Sequence, residues 1–104
     1  MKHYAINILP NAGQEIEDAY LYIKNNSPIN ALTWYKVIYE NIQSLSSYPL
    51  RRPLAPENEF FKEEIRQLTA MNYRILFTVT EETVNILHVR HNRQLWLKGT
   101  TKHT

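Results

Sequence analysis

Residues 64–93 read EIRQLTAMNYRILFTVTEETVNILHVRHNR, and this stretch decides the fold. Its alternation of apolar and polar residues predicts three consecutive β-strands over 62–68, 72–80 and 83–91. In the middle strand Tyr73, Ile75, Phe77 and Val79 fall on one side and Arg74, Leu76, Thr78 and Thr80 on the other. The last strand divides into Asn85, Leu87, Val89 and His91 against Val84, Ile86, His88 and Arg90.

Which of these sets share a face depends on the turn at Glu81-Glu82. A strict two-residue turn pairs Phe77 with Ile86 and Tyr73 with Arg90, which places an arginine on the helix-packed face at high desolvation cost. An odd-length turn or one bulge reverses the last strand. Glu-Glu is poor chemistry for a two-residue turn, so the expectation is an irregular turn there. Ile75, Phe77, Val79, Leu87 and Val89 then meet the helices, while Arg66, Arg74, His88 and Arg90 look outward together from an open face. A solvated sheet face with no function is the alternative reading of those cations.

Upstream, residues 3–9 form a looser strand pattern ended by Pro10. Asn11 with Gln14 makes a capping-box pattern before a helix whose stripe is Ile16, Ala19, Tyr20 and Ile23. Asn25-Asn26 ends it, and Ser27-Pro28 starts a second helix with Ala31, Trp34, Tyr35, Ile38, Ile42 and Leu45 on its core stripe. The run of tyrosines and Trp34 on these helices reads as packing. Residues 49–59, PLRRPLAPENE, hold three prolines without a period and read as an ordered loop. The order is β-α-α-β-β-β: an α+β domain, residues 1–104, with a helical hairpin packed on an antiparallel sheet. The place of the first strand in that sheet is open.

The chain of 104 residues is long enough for one core without staples. It has no cysteine, no run of apolar residues approaching a membrane span and no signal-peptide pattern, so a cytoplasmic protein without membrane contact is expected. The histidines lack ligand spacing and there is no glycine-rich phosphate loop, so neither metal nor cofactor is expected. The net charge is only +2, yet residues 83–104 carry Arg90, Arg93, Lys98 and Lys102, three histidines and no acidic side chain. Such a field favours a polyanion or an acidic protein segment, unless it is only a solvated basic end.

Ser27-Pro28, Ala31, Trp34, Leu45, Pro49, Leu54-Ala55-Pro56-Glu57, Ile65-Arg66-Gln67-Leu68, Tyr73-Arg74-Ile75-Leu76-Phe77 and Ile86-Leu87-His88-Val89-Arg90-His91 stand in this order along the chain. Together they resemble the RelE/ParE superfamily of bacterial toxins, the plasmid-stabilising halves of type II toxin–antitoxin pairs. The resemblance implies growth arrest, and a cognate antitoxin whose acidic, disordered C-terminal segment wraps the toxin. It also implies one of two targets: ribosome-bound mRNA, which RelE-like members cut, or DNA gyrase, which ParE-like members inhibit. A decayed homologue that only binds antitoxin as a co-repressor is a further alternative.

RNA cleavage needs proton exchange and cations around a phosphate. By the resemblance Arg74 would be the clamp, Arg66 and Arg90 would assist, and His88 or His91 would move protons. Antitoxin or target would meet Arg66, Arg74, Arg90, Arg93 and Trp96. The chain departs from RelE-like nucleases in having only Lys62, then Glu63-Glu64, in the corresponding strand, and no tyrosine after Tyr73.

Overall fold

Prolines and one serine set the helix boundaries. A computed structural model describes residues 2–94. After strand β1 (Ala5–Ile8), helix α1 (Pro10–Asn26) opens with its proline in the first turn, where a missing N–H is harmless. The helix therefore begins before Asn11, and the expected capping box does not form; Gln14 instead donates to Asp18 at 2.8 Å. Ser27 ends α1 and caps helix α2 (Pro28–Ser44), its Oγ accepting from the Asn30 N–H at 3.2 Å. Strands β2 (Arg66–Ala70), β3 (Tyr73–Thr80) and β4 (Thr83–His91) follow.

The sheet order is β1-β4-β3-β2. β2, β3 and β4 are antiparallel, but β1 lies parallel to β4, so the sheet is mixed where an antiparallel one was expected. The helical hairpin supplies the crossover that a parallel pairing requires. One face of the sheet meets the helices: Ile16, Trp34, Ile38 and Ile42 pack on Leu68, Ile75, Phe77, Val84, Ile86 and Val89. Each such buried side chain contributes about 1.5–3 kcal/mol of transfer free energy. Tyr35 departs from the expected stripe; it stays partly exposed and makes an edge contact with Tyr20 at 5.4 Å.

The other face is not open. Residues 49–61 form a strap with two 3-10 turns, Pro49–Arg51 and Pro56–Phe60, where an element-free loop was expected. Main-chain bonds fasten it along β2, from Ala55 N to Ile65 O at 2.7 Å and from Gln67 N to Pro53 O at 3.0 Å. A second apolar cluster of Ala55, Ile65 and Leu76, with Phe61 and Leu87 against it, fills the space beneath. Residues 62–65 serve this anchorage, and β2 accordingly starts at Arg66 instead of Lys62.

The expected irregularity exists, but not at the turn. Thr80 pairs with Thr83 around a two-residue turn, and Glu81 makes that possible by taking φ 50°. The bulge lies further along: Leu76 pairs with His88 but Phe77 with Ile86, so Leu87 is the extra residue. Val84 and Ile86 therefore face the helices beside Phe77, Val89 rejoins them beyond the bulge, and Leu87 turns to the strap cluster.

The β2–β3 turn places both Met71 (φ 51°) and Asn72 (φ 68°) in the left-handed region. Met71→Asn should stabilise the fold by about 1 kcal/mol, since asparagine tolerates that region better than methionine. A higher urea midpoint with an unchanged slope is expected; an unchanged or lower midpoint contradicts this account of the turn.

Candidate functional site

A buried guanidinium has to find an anion, and Arg74 finds one in the strap. Arg74 is 7% exposed and Glu57, on the second 3-10 turn, is 0% exposed. Both guanidinium Nη atoms engage the Glu57 carboxylate, Nη1 at 2.9 Å, and Nη1 also donates to Gln67 Oε1 at 3.0 Å. This is the bidentate geometry that suits an arginine–carboxylate pair in a low-dielectric setting. The mid-strand arginine expected on an open face is thus enclosed and neutralised from within. Arg90 lies directly across from it in register, which raises the need for a carboxylate at this point.

The other expected members do not gather around it. Arg66 pairs in register with Phe77, on the opposite side of the pleat from Arg74. Its Nη1 donates to the Arg52 carbonyl at 2.7 Å and its Nη2 meets Glu64 at 3.1 Å, so it fastens the strap. His88 belongs to the bulge, where alternation fails, and its Nδ1 lies 3.0 Å from a carboxylate oxygen of Glu15 on α1. The same carboxylate accepts the Val89 N–H at 2.9 Å, so Glu15 caps the bulge through both main chain and side chain. His91 lies against Tyr73, ring centroids 5.1 Å apart, and its Nδ1 accepts the Arg93 N–H at 3.0 Å. Arg93 is exposed. Trp96 falls outside the described residues. The shared outward cluster of Arg66, Arg74, His88 and Arg90 is therefore reduced to Arg74 and Arg90, because the bulge sits beside His88 and the strap covers the face.

An open cleft of about 570 Å³ runs between α1 and the end of β4. Glu15 and Asp18 stand on its helical wall, His91 and Arg93 on its strand wall, with Tyr22 and Tyr73 between. Burial, and secondarily the neighbouring Tyr22, push the Tyr73 phenol above its ordinary value of 10.0, so it remains a neutral hydrogen-bonding group at physiological pH. The cleft presents charges of both signs around aromatic surface, an arrangement for holding a polar chain segment. Among the described residues, no three His, Cys, Asp or Glu side chains come together as a metal-binding group. No helix among them is long and apolar enough to cross a membrane.

Sequence reasoning missed Glu15 and Glu57, the two carboxylates that engage His88 and Arg74. Glu57 falls in the run 49–59 that reads only as an ordered loop. The available signal was the demand itself: an arginine flanked by Ile75, Leu76 and Tyr73 needs a buried carboxylate, and an ordered proline-rich loop is where one can be held.

Two consequences are measurable. Glu57→Leu leaves Arg74 buried and uncompensated, so about 3–5 kcal/mol of stability should be lost, and the pair Glu57→Leu with Arg74→Met should lose less than the sum of the two single variants. Additive losses in this double-mutant cycle contradict the pairing. The folded chain also favours the protonated phenol of Tyr73. Its stabilisation is complete below pH 10.0 and is lost as pH rises through the higher folded value. Tyr73→Phe should flatten the decline of Tm on the alkaline side; an unaltered alkaline limb contradicts the assignment.

A profile described as "ParE toxin of type II toxin-antitoxin system, parDE" matches residues 6–96. No curated protein matches significantly. Among solved structures, the fold is similar to a chain of the chromosomal ParDE toxin–antitoxin system from P. aeruginosa, with TM-score 0.71, 18% identity, and 86% of this chain and 96% of that chain covered. It is also similar to a chain of the RelBE2 toxin–antitoxin complex from Mycobacterium tuberculosis, with TM-score 0.60, 23% identity and coverage of 88% and 93%.

Proposed function

Because this chain belongs to the ParE toxin family of type II toxin–antitoxin systems, we propose that it arrests growth by binding a protein target, DNA gyrase, without cutting RNA. The observation that carries this reading is the Arg74–Glu57 pair. A guanidinium already neutralised by an enclosed carboxylate has little capacity left to stabilise charge developing on a phosphate. Arg66 and His88 are likewise engaged, by the Arg52 carbonyl and Glu15. The described surface is instead suited to protein contacts. Leu21, Ile29 and Leu32 of the helical hairpin are 49%, 76% and 61% exposed and offer apolar side chains to a partner.

A cognate antitoxin keeps the toxin silent in this reading. Its acidic, disordered C-terminal segment folds onto the hairpin's apolar side chains and the cleft carrying His91 and Arg93, gaining affinity from burial and from charge. Both events take place in the cytoplasm. The RNA-cleavage reading keeps one observation in its favour: Glu15 orients the His88 ring through Nδ1, as carboxylates do for proton-transferring histidines.

Induction without antitoxin separates the readings. The expected result is a DNA-damage response, inhibition of supercoiling by purified gyrase, and transcript ends unchanged on sequencing. His88→Ala should leave growth arrest intact. New transcript ends at codon-spaced positions, abolished by His88→Ala, contradict the proposal and establish the nuclease. Harmless overexpression contradicts both and leaves a co-repressor.

A further inference from the structure

A second recognition site lies where the N-terminus meets the start of the strap. Lys2, Tyr4, Tyr48, Leu50 and Arg51 line a cleft of about 280 Å³, room for one bulky side chain. None of the five is acidic. Lys2 Nζ lies 5.2 Å from the centroid of Tyr4, and the Arg51 guanidinium 5.6 Å from that of Tyr48. Tyr48 and Leu50 remain 54% and 52% exposed, so their apolar surface is offered to solvent at the cleft instead of being spent in the core. The frame beneath is fixed: Pro49 is buried, Tyr4 N donates to Ser46 O at 2.9 Å, and Arg51 N donates to Tyr48 O at 3.3 Å. Tyr48 holds its place with φ 52°, in the left-handed region that non-glycine residues disfavour.

We propose that this corner docks an acidic peptide segment of a partner protein, with one bulky apolar side chain inserted between Tyr4, Tyr48 and Leu50 and its carboxylates beside Lys2 and Arg51. The apolar lining takes the anchor and the two cations supply charge complementarity. A peptide suits the corner better than single-stranded nucleic acid. Base stacking needs open ring faces, and here the protein's own cations already lie over both rings. A carboxylate, by contrast, meets those cations where they stand. The site goes beyond the gyrase reading, and its occupant is an acidic peptide segment whether or not gyrase is the target.

The test is an amide chemical-shift titration of the full chain with a capped hexapeptide in which Glu and Asp flank a single Phe. Comparators are the same peptide with Ser for Phe, the same peptide with amides for its carboxylates, and oligothymidylate. Saturable shifts confined to residues 2–4 and 48–51 are expected. Affinity should fall about tenfold or more for either altered peptide, and likewise for the exposed-site variants Arg51→Glu and Leu50→Ser, whose unchanged spectra elsewhere report an intact fold. The proposal is overturned by absence of saturable shifts at the corner, by equal binding of the altered peptides, or by tighter binding of oligothymidylate.

Discussion

The rest of the molecule depends on how one charge, that of Arg74, is accommodated in the middle of a sheet. Its strand is apolar on both sides of it, and the residue across the ladder is another arginine. An enclosed cation of this kind is tolerable only with a well-placed anion. Glu57 is that anion, and bringing it into place requires the strap to cross the face of the sheet, the second apolar cluster to form under it, and Arg66 to hold the strap's backbone. A face that alternation alone would leave to solvent thereby becomes a second interior.

The bulge at Leu87 is the complementary constraint. With a regular two-residue turn at Glu81-Glu82 and no bulge, Arg90 would face the helices. One extra residue leaves Leu87 on the strap side, where it packs on the strap cluster, but restores Val89 to the main core and sets Arg90 beside Arg74. The irregular backbone is stabilised by Glu15, which receives the Val89 N–H and meets His88. A carboxylate on α1 thus fixes how β4 is threaded, and one on the strap fixes how the opposite face is closed. Both are recruited for architecture, and this is why the cleft, the hairpin and the N-terminal corner are the surfaces proposed for partners.

The sequence disclosed the element order, the start of α2, the boundaries of β4 and most of the core, because these follow from Ser27-Pro28 and from helical and strand periodicity that Trp34, Ile38, Ile42, Ile75 and Phe77 express strongly. It also disclosed that some irregularity must separate Phe77 from Arg90, since the energetics of burying an arginine demand it. Its position was not legible: Glu81 takes a left-handed conformation that turn preferences disfavour, and nothing in the run Ile86-Leu87-His88 marks a bulge. The candidate site was only half legible for a related reason. Arg74 and His88 announce themselves in sequence, but their partners lie 17 residues away at Glu57 and 73 residues away at Glu15, beyond any local pattern.

The state of the Arg74 guanidinium is the quantity on which the account turns, because a structural arginine and a phosphate clamp differ in how freely it rotates and exchanges. Side-chain nitrogen NMR of Arg74 measures this directly. The account predicts resolved Nη protons with hindered rotation and slow exchange, unchanged on adding an oligoribonucleotide and collapsed by Glu57→Gln. A single averaged, rapidly exchanging signal that shifts when the oligoribonucleotide is added would contradict it.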